Sequence, residues 1–345
     1  MIAVKLTPRQ QQILSAIVEL YIKTGEPVGS KLIAQTASLN VSPATIRSEM
    51  ANLYEWGYLE QPHTSAGRVP SHLGYREYID ALMSCEALKQ EERDEIESLF
   101  NVKNPDPDKL LVDAAEALSE YTGYATLTSS IVPKTVRVRK IELIAAGTNT
   151  VVILLVASNG VIRNKVCRTD FNVTREIIEF FNKFANSRIS GRSIESITGS
   201  YISSVSMTLG EYSRMFTTIL MAIYELCSEV GEDRYYTSGT TKLLEYDEAS
   251  KMARELLTLL DDRNRLQALF APHQQNFKVI IGKENPTVEL TGSSVLLTHY
   301  NIGGQPAGMV GLIGPVRLNY SRLIPHLEYF AKMLGDLMSD TLEGE

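Results

Sequence analysis

Val41-Ser42-Pro43-Ala44-Thr45-Ile46-Arg47-Ser48-Glu49-Met50-Ala51-Asn52-Leu53-Tyr54-Glu55-Trp56-Gly57 is the stretch that decides how this chain folds. Ser42 reads as a helix N-cap, and Pro43 sits at the first helical position, where its missing N–H would be unpaired in any case. Helical spacing places Ile46, Met50 and Leu53 on one inward face, and Gly57 stops the helix after Trp56. The opposite face carries Ala44, Ser48, Ala51 and Asn52, flanked by Thr45 and Arg47. A surface helix with no other duty more often shows Glu and Lys there. Small residues let a helix backbone enter a major groove, and Ser, Thr, Asn and Arg reach bases and phosphates.

On the carboxyl side, Tyr58-Leu59-Glu60-Gln61 reads as a short strand, Pro62-His63-Thr64-Ser65-Ala66-Gly67-Arg68 as a polar loop, and Val69-Pro70 as the return. That is a hairpin wing, with Arg68 expected near its tip. On the amino side, Thr7-Pro8-Arg9-Gln10 is a capping box opening a helix with Ile13, Ile17, Leu20 and Tyr21 on one face; Thr24-Gly25-Glu26-Pro27 ends it. Ser30 caps a short second helix with Leu32, Ile33 and Ala37 inward, and Leu39-Asn40-Val41 is the turn into the third. Three helices with a short second-to-third turn, then a wing, predict a winged helix-turn-helix. The helix beginning at Ser71-His72-Leu73-Gly74-Tyr75-Arg76 is then expected to lie along the DNA backbone. Candidate DNA contacts are Ser42, Ala44, Thr45, Arg47, Ser48 and Asn52 on the third helix, His63, Thr64, Ser65 and Arg68 on the wing, and Arg76 beyond it. The same tri-helical pattern occurs in bundles that never touch DNA, and Arg47 alone reads equally as a solvated surface residue.

Charge agrees with a local binding head rather than a basic coat protein. The 345 residues carry a net charge of −7, while residues 1–76 hold seven Lys/Arg against five Glu. Hydrophobic residues at 44% and charged residues at 22% describe a globular chain of two or three domains. Cys85, Cys167 and Cys227 are far apart with no CxxC pair, which fits a reducing compartment. The longest apolar run, Val151–Ala157, is far short of the ~20 residues a membrane helix needs. The start has no charged region followed by an apolar core and cleavage site, so a soluble, cytoplasmic protein is expected.

A charge run at Glu86–Glu97 followed by the break Asn104-Pro105-Asp106-Pro107-Asp108 reads as a connector, which puts a domain boundary near residue 86. Asp108–Tyr121 predicts a helix, and Val136–Leu143, Thr150–Ala157 and Val161–Arg168 predict strands, the last pair joined by Ser158-Asn159-Gly160. Residues 173–186, Met207–Val230 and Asp247–Phe270 read as helices. Strands resume at Lys278–Ile281, Val288–Leu290, Val295–His299 and Gly308–Ile313, before a final helix over Ser321–Leu337. Strands, helices and strands again predict a multidomain α+β chain whose mixed α/β domain is interrupted by a helical insertion. The Met207–Val230 helix shows Phe216, Ile219, Leu220, Ile223, Leu226, Cys227 and Val230 on one stripe, read either as ordinary core or as a subunit interface.

Catalytic patterns are absent: there is no GxSxG, HExxH, Walker A or GxGxxG. Gly303-Gly304-Gln305-Pro306-Ala307-Gly308 reads as a hairpin turn, Asp261-Asp262 as a helix-surface pair, and the five histidines are scattered. Neither an enzyme, nor a metal, nor a cofactor is expected.

Three runs carry a family resemblance: Thr24-Gly25-Glu26-Pro27-Val28-Gly29-Ser30, then Val41-Ser42-Pro43-Ala44-Thr45-Ile46-Arg47-Ser48-Glu49-Met50, then Leu59-Glu60-Gln61-Pro62-His63-Thr64-Ser65-Ala66-Gly67-Arg68-Val69-Pro70. Together with Gly74-Tyr75-Arg76-Glu77-Tyr78, Ile280-Ile281-Gly282-Lys283-Glu284-Asn285 and Gly308–Ser321, they closely resemble the bacterial heat-inducible transcription repressor HrcA family. The resemblance implies a negative regulator of class I heat-shock operons encoding chaperonin and Hsp70 systems. It would bind the inverted-repeat CIRCE operator in double-stranded DNA as a homodimer, with the GroE chaperonin assisting its folding. It also implies a winged helix (1–86), a GAF-like domain (87–190 and 272–345) and an inserted helical dimerisation domain (191–271). A symmetric operator favours the interface reading of the stripe, with Phe216, Ile219, Leu220, Ile223 and Cys227 as dimerisation residues. Ser48 stands where the family commonly has Asn. Because GAF-like domains often hold small ligands, a ligand-sensing DNA-binding regulator is the alternative.

Overall fold

The computed structural model of the chain describes residues 5–36, 41–63, 66–100, 106–132, 135–245, 258–259, 262–270, 277–284 and 292–343. The amino-terminal head contains α1 (Pro8–Thr24), α2 (Ser30–Thr36), α3 (Pro43–Glu55), the hairpin β1 (Leu59–Glu60) with β2 (Val69–Pro70), and α4 (His72–Glu77), which runs on as a π turn over Tyr78–Leu82. The capping box is made in full: the Thr7 side chain accepts from the Gln10 N–H, and the Gln10 side chain accepts from the Thr7 N–H at 2.9 Å. Ile13, Leu14, Ile17, Val18, Ile33, Ile46 and Leu53 are fully buried between the helices. Leu32, expected to point inward, is 38% exposed; Ile33 takes the inward position of this seven-residue helix. Ala37 and the turn at Leu39-Asn40 lie outside the described residues.

After α5 (Gln90–Leu99) and α6 (Pro107–Thr122), the body is built on a five-stranded antiparallel sheet ordered β7-β3-β10-β9-β8. Its strands are β3 (Ala125–Ser130), β7 (Arg234–Ser238), β8 (Phe277–Ile281), β9 (Ser293–Ile302) and β10 (Gln305–Pro315). Alternation sends Leu296, Tyr300, Val310 and Leu312 to one face, where they share a core with α6 and the final helix. Leu127, Val295, Leu297, Met309 and Ile313 go to the other face, against Leu266, Leu269 and Phe270 of the helical stretch around α10 (Arg263–Leu269). Covered on both faces, β10 reads as an almost unbroken buried run. Gly303-Gly304 is the two-residue turn between β9 and β10, as expected. The final helix, α11, spans Tyr320–Glu343. Most of the helix expected at Asp247–Phe270, and the strand expected at Val288–Leu290, lie outside the described residues.

Between β3 and β7 stands a separate unit. Strands β4 (Val138–Gly147), β5 (Thr150–Ala157) and β6 (Ile162–Arg168) form a three-stranded meander of their own. Helices α7 (Arg175–Ile189), α8 (Gly199–Met207) and α9 (Ser213–Val230) cover one face of it, and the two layers share one core. The grouping differs from the expected division at 190 and 271. The three strands sit with the helices that follow them, and β7 returns to the five-stranded sheet. Periodicity identifies strands but not which sheet they join, and the reading of Met207–Val230 as one helix missed the break between α8 and α9. Asn182 and Asn186 of α7 pair with both backbone groups of Leu143 and Ile141 at 2.7–3.2 Å, closing the outer edge of β4.

The expected interface stripe on α9 is core. Phe216, Ile219, Leu220, Ile223 and Cys227 are all buried within this one chain, with the Phe216 ring tilted against Phe181 of α7, centroids 4.7 Å apart. Burial pushes the Cys227 thiol up to about 12. An apolar stripe shows that a helix face is covered, not what covers it. Apolar surface is left exposed on the outer face of the meander, where Ile144, Ile162 and Val166 are 47%, 53% and 64% exposed, and also on the helical layer at Phe180, Met207, Tyr212 and Met221. Register aligns Ile144, Val152 and Val166 in one row across the three strands.

Candidate nucleic-acid interface

Helix α3 is held by its two ends and one face. Ser42 caps it, accepting from the Thr45 N–H at 3.2 Å, and the Ser42 and Thr45 hydroxyls lie 3.0 Å apart. Ile46, Met50 and Leu53 are buried in the head, as their spacing predicts. Ala44, Arg47, Ser48 and Ala51 are exposed, and so are Tyr54 and Glu55. The exposed strip therefore combines two alanines, a serine hydroxyl and one solvent-exposed guanidinium, a surface that a groove can approach closely. Thr45 and Asn52 are half-buried. The Asn52 amide donates to Glu49, which also accepts from Gln10 of α1 at 2.9 Å, so Asn52 helps fasten α3 to α1.

The wing is tied down at its base. Val28 and Arg68 exchange both backbone hydrogen bonds, at 2.8 and 2.9 Å, adding a bridge beside β2. This close approach needs a glycine at 67: a Cβ there would stand 2.5 Å from the Val28 carbonyl oxygen. The Arg68 side chain is half-buried, its guanidinium 4.8 Å from the centroid of the Tyr54 ring on α3. Arg68 thus stands at the root of the wing, joining it to α3, rather than near the tip. Across the loop, the Ala66 N–H donates to the His63 carbonyl at 2.9 Å, and His63 is exposed. Thr64 and Ser65 lie outside the described residues.

Arg76 is engaged elsewhere. Its Nε donates to Glu284 Oε1 at 3.0 Å, its Nη2 donates to the Val279 carbonyl at 2.8 Å and to the second Glu284 oxygen, and its Nη1 donates to Asp80 at 3.3 Å. With four of its five N–H donors taken in this way, this guanidinium holds the head to the body rather than standing free for phosphate. Sequence position alone placed Arg76 after the wing; its partner more than two hundred residues away was not visible there. The groups that assemble are therefore Ala44, Arg47, Ser48 and Ala51 with Tyr54 and Arg68 beside them, and Tyr54 is the member the sequence reading missed. Among the described residues, no group of three metal-ligating side chains occurs, and no helix is long and apolar enough to cross a membrane.

Two family models match the chain. The winged helix-turn-helix transcription repressor, HrcA DNA-binding model covers residues 5–80, and the HrcA protein C terminal domain model covers residues 108–324. Curated relatives include the heat-inducible transcription repressor HrcA of Thermoanaerobacter pseudethanolicus, 33% identical over 99% of each chain. That of Clostridium acetobutylicum is 36% identical over 93% of this chain and 94% of its own. A solved structure described as a hypothetical protein at 2.2 Å resolution superposes with a TM-score of 0.67 at 25% identity, covering 98% of this chain and 100% of that one.

Proposed function

The chain belongs to the HrcA family of heat-inducible transcription repressors, and on that premise we propose that it works as a homodimer that reads an inverted-repeat operator of the CIRCE type through two α3 helices. The family is one of DNA-binding regulators, not enzymes. Heat-shock operons for chaperonin and Hsp70 systems are the proposed targets, the cytoplasm the proposed compartment, and assistance by the GroE chaperonin the proposed route to the active form; each rests on family membership.

The observation that carries the DNA reading is the exposed strip Ala44, Arg47, Ser48 and Ala51 on a helix capped by Ser42, beside a wing whose root is fixed to the same helix. Base contacts come from a major-groove helix, and phosphate contacts from the cap and wing. Dimerisation is supported by the uncovered apolar face of the meander, which replaces the α9 stripe as the proposed interface. We assign this unit, roughly 135–232, to the inserted dimerisation domain, and the five-stranded body to the GAF-like domain. The test is Arg47→Ala on operator and scrambled duplexes. Removing a guanidinium that reads a base edge should cost ~1–3 kcal/mol and relax preference at one position of each half-site.

A second reading has one observation in its favour. A cavity of about 350 Å³ lies between the inserted unit and the body, lined by Leu111, Val136, Val161, Val230, Tyr300 and Met338. A small effector held there would link the two units. A change in operator affinity on adding small-molecule extract would favour it.

A further inference from the structure

We propose that the Arg76–Glu284 ion pair is the positioning device of this repressor: it fixes the angle of the DNA-binding head on the body and thereby sets the spacing between the two reading helices. The inference rests on the dimeric reading above.

The pair is built rather than incidental. Arg76 meets Glu284 as a two-pronged fork, Nε to Oε1 at 3.0 Å and Nη2 to Oε2, a geometry that fixes direction as well as distance. The same Nη2 donates to the Val279 carbonyl in the middle of β8, while Asp80, one helical turn on, takes Nη1. Glu284 is itself held in place, because the Ile281 N–H donates to its Oε2 at 2.9 Å. Both side chains are about two-thirds covered, so solvent screens the pair less than an open surface bridge.

Around this fork the head has a shaped seat. The His72 ring lies against Gly282, where a Cβ would stand 2.1 Å from the imidazole and where φ is +53°, so glycine is required on both counts. Tyr75 meets Tyr320 edge-on with ring centroids 6.1 Å apart. The Tyr320 hydroxyl donates to the Val316 carbonyl and shares a hydrogen bond with Ser294, both at 2.6 Å, which anchors that ring in the body. Beside it, across a cleft shared with His72 and Tyr75, the Arg317 guanidinium packs next to Gly25 at the end of α1. Helix α4 and the end of α1 are thus both gripped by residues of the body. The seat uses the stretches Gly282–Glu284 and Val316–Ser321.

Such a seat matters because joining two heads raises affinity only while each is held over its half-site. A head free to swing lowers the effective concentration of the second reading helix without changing what either helix recognises. Arg76 and Glu284 should therefore govern spacing discrimination and leave base preference alone.

The experiment uses the full chain and four forms: wild type, Arg76→Gln, Glu284→Gln, and the charge-swapped Arg76→Glu/Glu284→Arg. Each is titrated against a single half-site duplex, the inverted repeat, and the inverted repeat with its spacer changed by about half a helical turn. The two single variants should stay within about twofold of wild type on the half-site. They should lose about tenfold on the inverted repeat and narrow the gap between the two spacers, with the swap recovering part of both. Unchanged affinity and unchanged spacer preference in the single variants would overturn the proposal. So would an equal loss on half-site and inverted repeat, which would mean that the head itself is damaged. Wild type binding the half-site as tightly as the inverted repeat is a different pattern; it would remove the dimeric reading, and this inference with it.

Discussion

Arg68 at the root of the wing lays its guanidinium 4.8 Å from the centre of the Tyr54 ring on the reading helix, so wing and helix are one unit rather than two neighbours. Tyr54→Ala should weaken operator binding by ~0.5–1 kcal/mol, the worth of such a cation–ring pairing at a partly open site, while Tyr54→Phe keeps the ring and should bind nearly as wild type. Arg68→Ala removes a cation as well. It should weaken specific and non-specific binding together and make the dependence of log K on log salt shallower by about one unit. Titrations at several salt concentrations check both.

Gly67→Ala should damage the wing without touching DNA-facing chemistry. Its new Cβ would stand 2.5 Å from the Val28 carbonyl oxygen and 2.8 Å from that of Pro27, both backbone and unable to step aside. A loss of ~1–3 kcal/mol in stability is expected, read from denaturant midpoints. Loss of operator binding should accompany it.

The two apolar surfaces of the inserted unit should answer differently to mutation. Val166→Glu, on the uncovered face of β6, should shift the dimer towards monomer while leaving the fold intact. Ile223→Ala, buried on α9, should cost ~2–5 kcal/mol of stability through the cavity it leaves, with the folded protein still dimeric. Sedimentation and thermal unfolding separate the outcomes.

Stability should also fall on mild acidification. Burial in β9 holds the His299 imidazole below its ordinary value of 6.5, with the Gly308 backbone hydrogen bond opposing in part. The unfolded chain then binds a proton that the folded chain refuses. Stability is complete above the unfolded value and is lost as pH drops below it towards the folded value. Denaturant midpoints measured from about pH 7.5 down to about pH 5 should decline, and His299→Gln should flatten that part of the decline.

Much of the head was legible because its signals are local. Thr7, Pro8, Ser42, Pro43 and Gly57 each act within one turn of the helix they start or stop, and Ile46, Met50 and Leu53 need only a helical period to show their face. The hairpins at Ser158-Asn159-Gly160 and Gly303-Gly304 are equally local. What escaped is what depends on distant partners. Arg76 looks like any exposed arginine until Glu284 and Val279 are brought to it by the body's sheet. The α9 stripe looks the same whether its cover is a second subunit or β5 and β6 of its own chain. Strands β4–β6 have the right period for either sheet, and only chain closure shows that they stand apart. Tyr54 escaped for the converse reason, since an aromatic at the end of a polar helix face carries no period at all.

Whether a pair of α3 helices reads a symmetric operator is decided by comparing the affinity of the full-length wild-type chain for an inverted-repeat duplex with its affinity for the same duplex bearing one scrambled half-site. Two linked heads predict an advantage of ~10²–10⁴ for the intact repeat, steepened by lowering salt. Equal affinity for the two duplexes would show that the two α3 helices do not read the operator together.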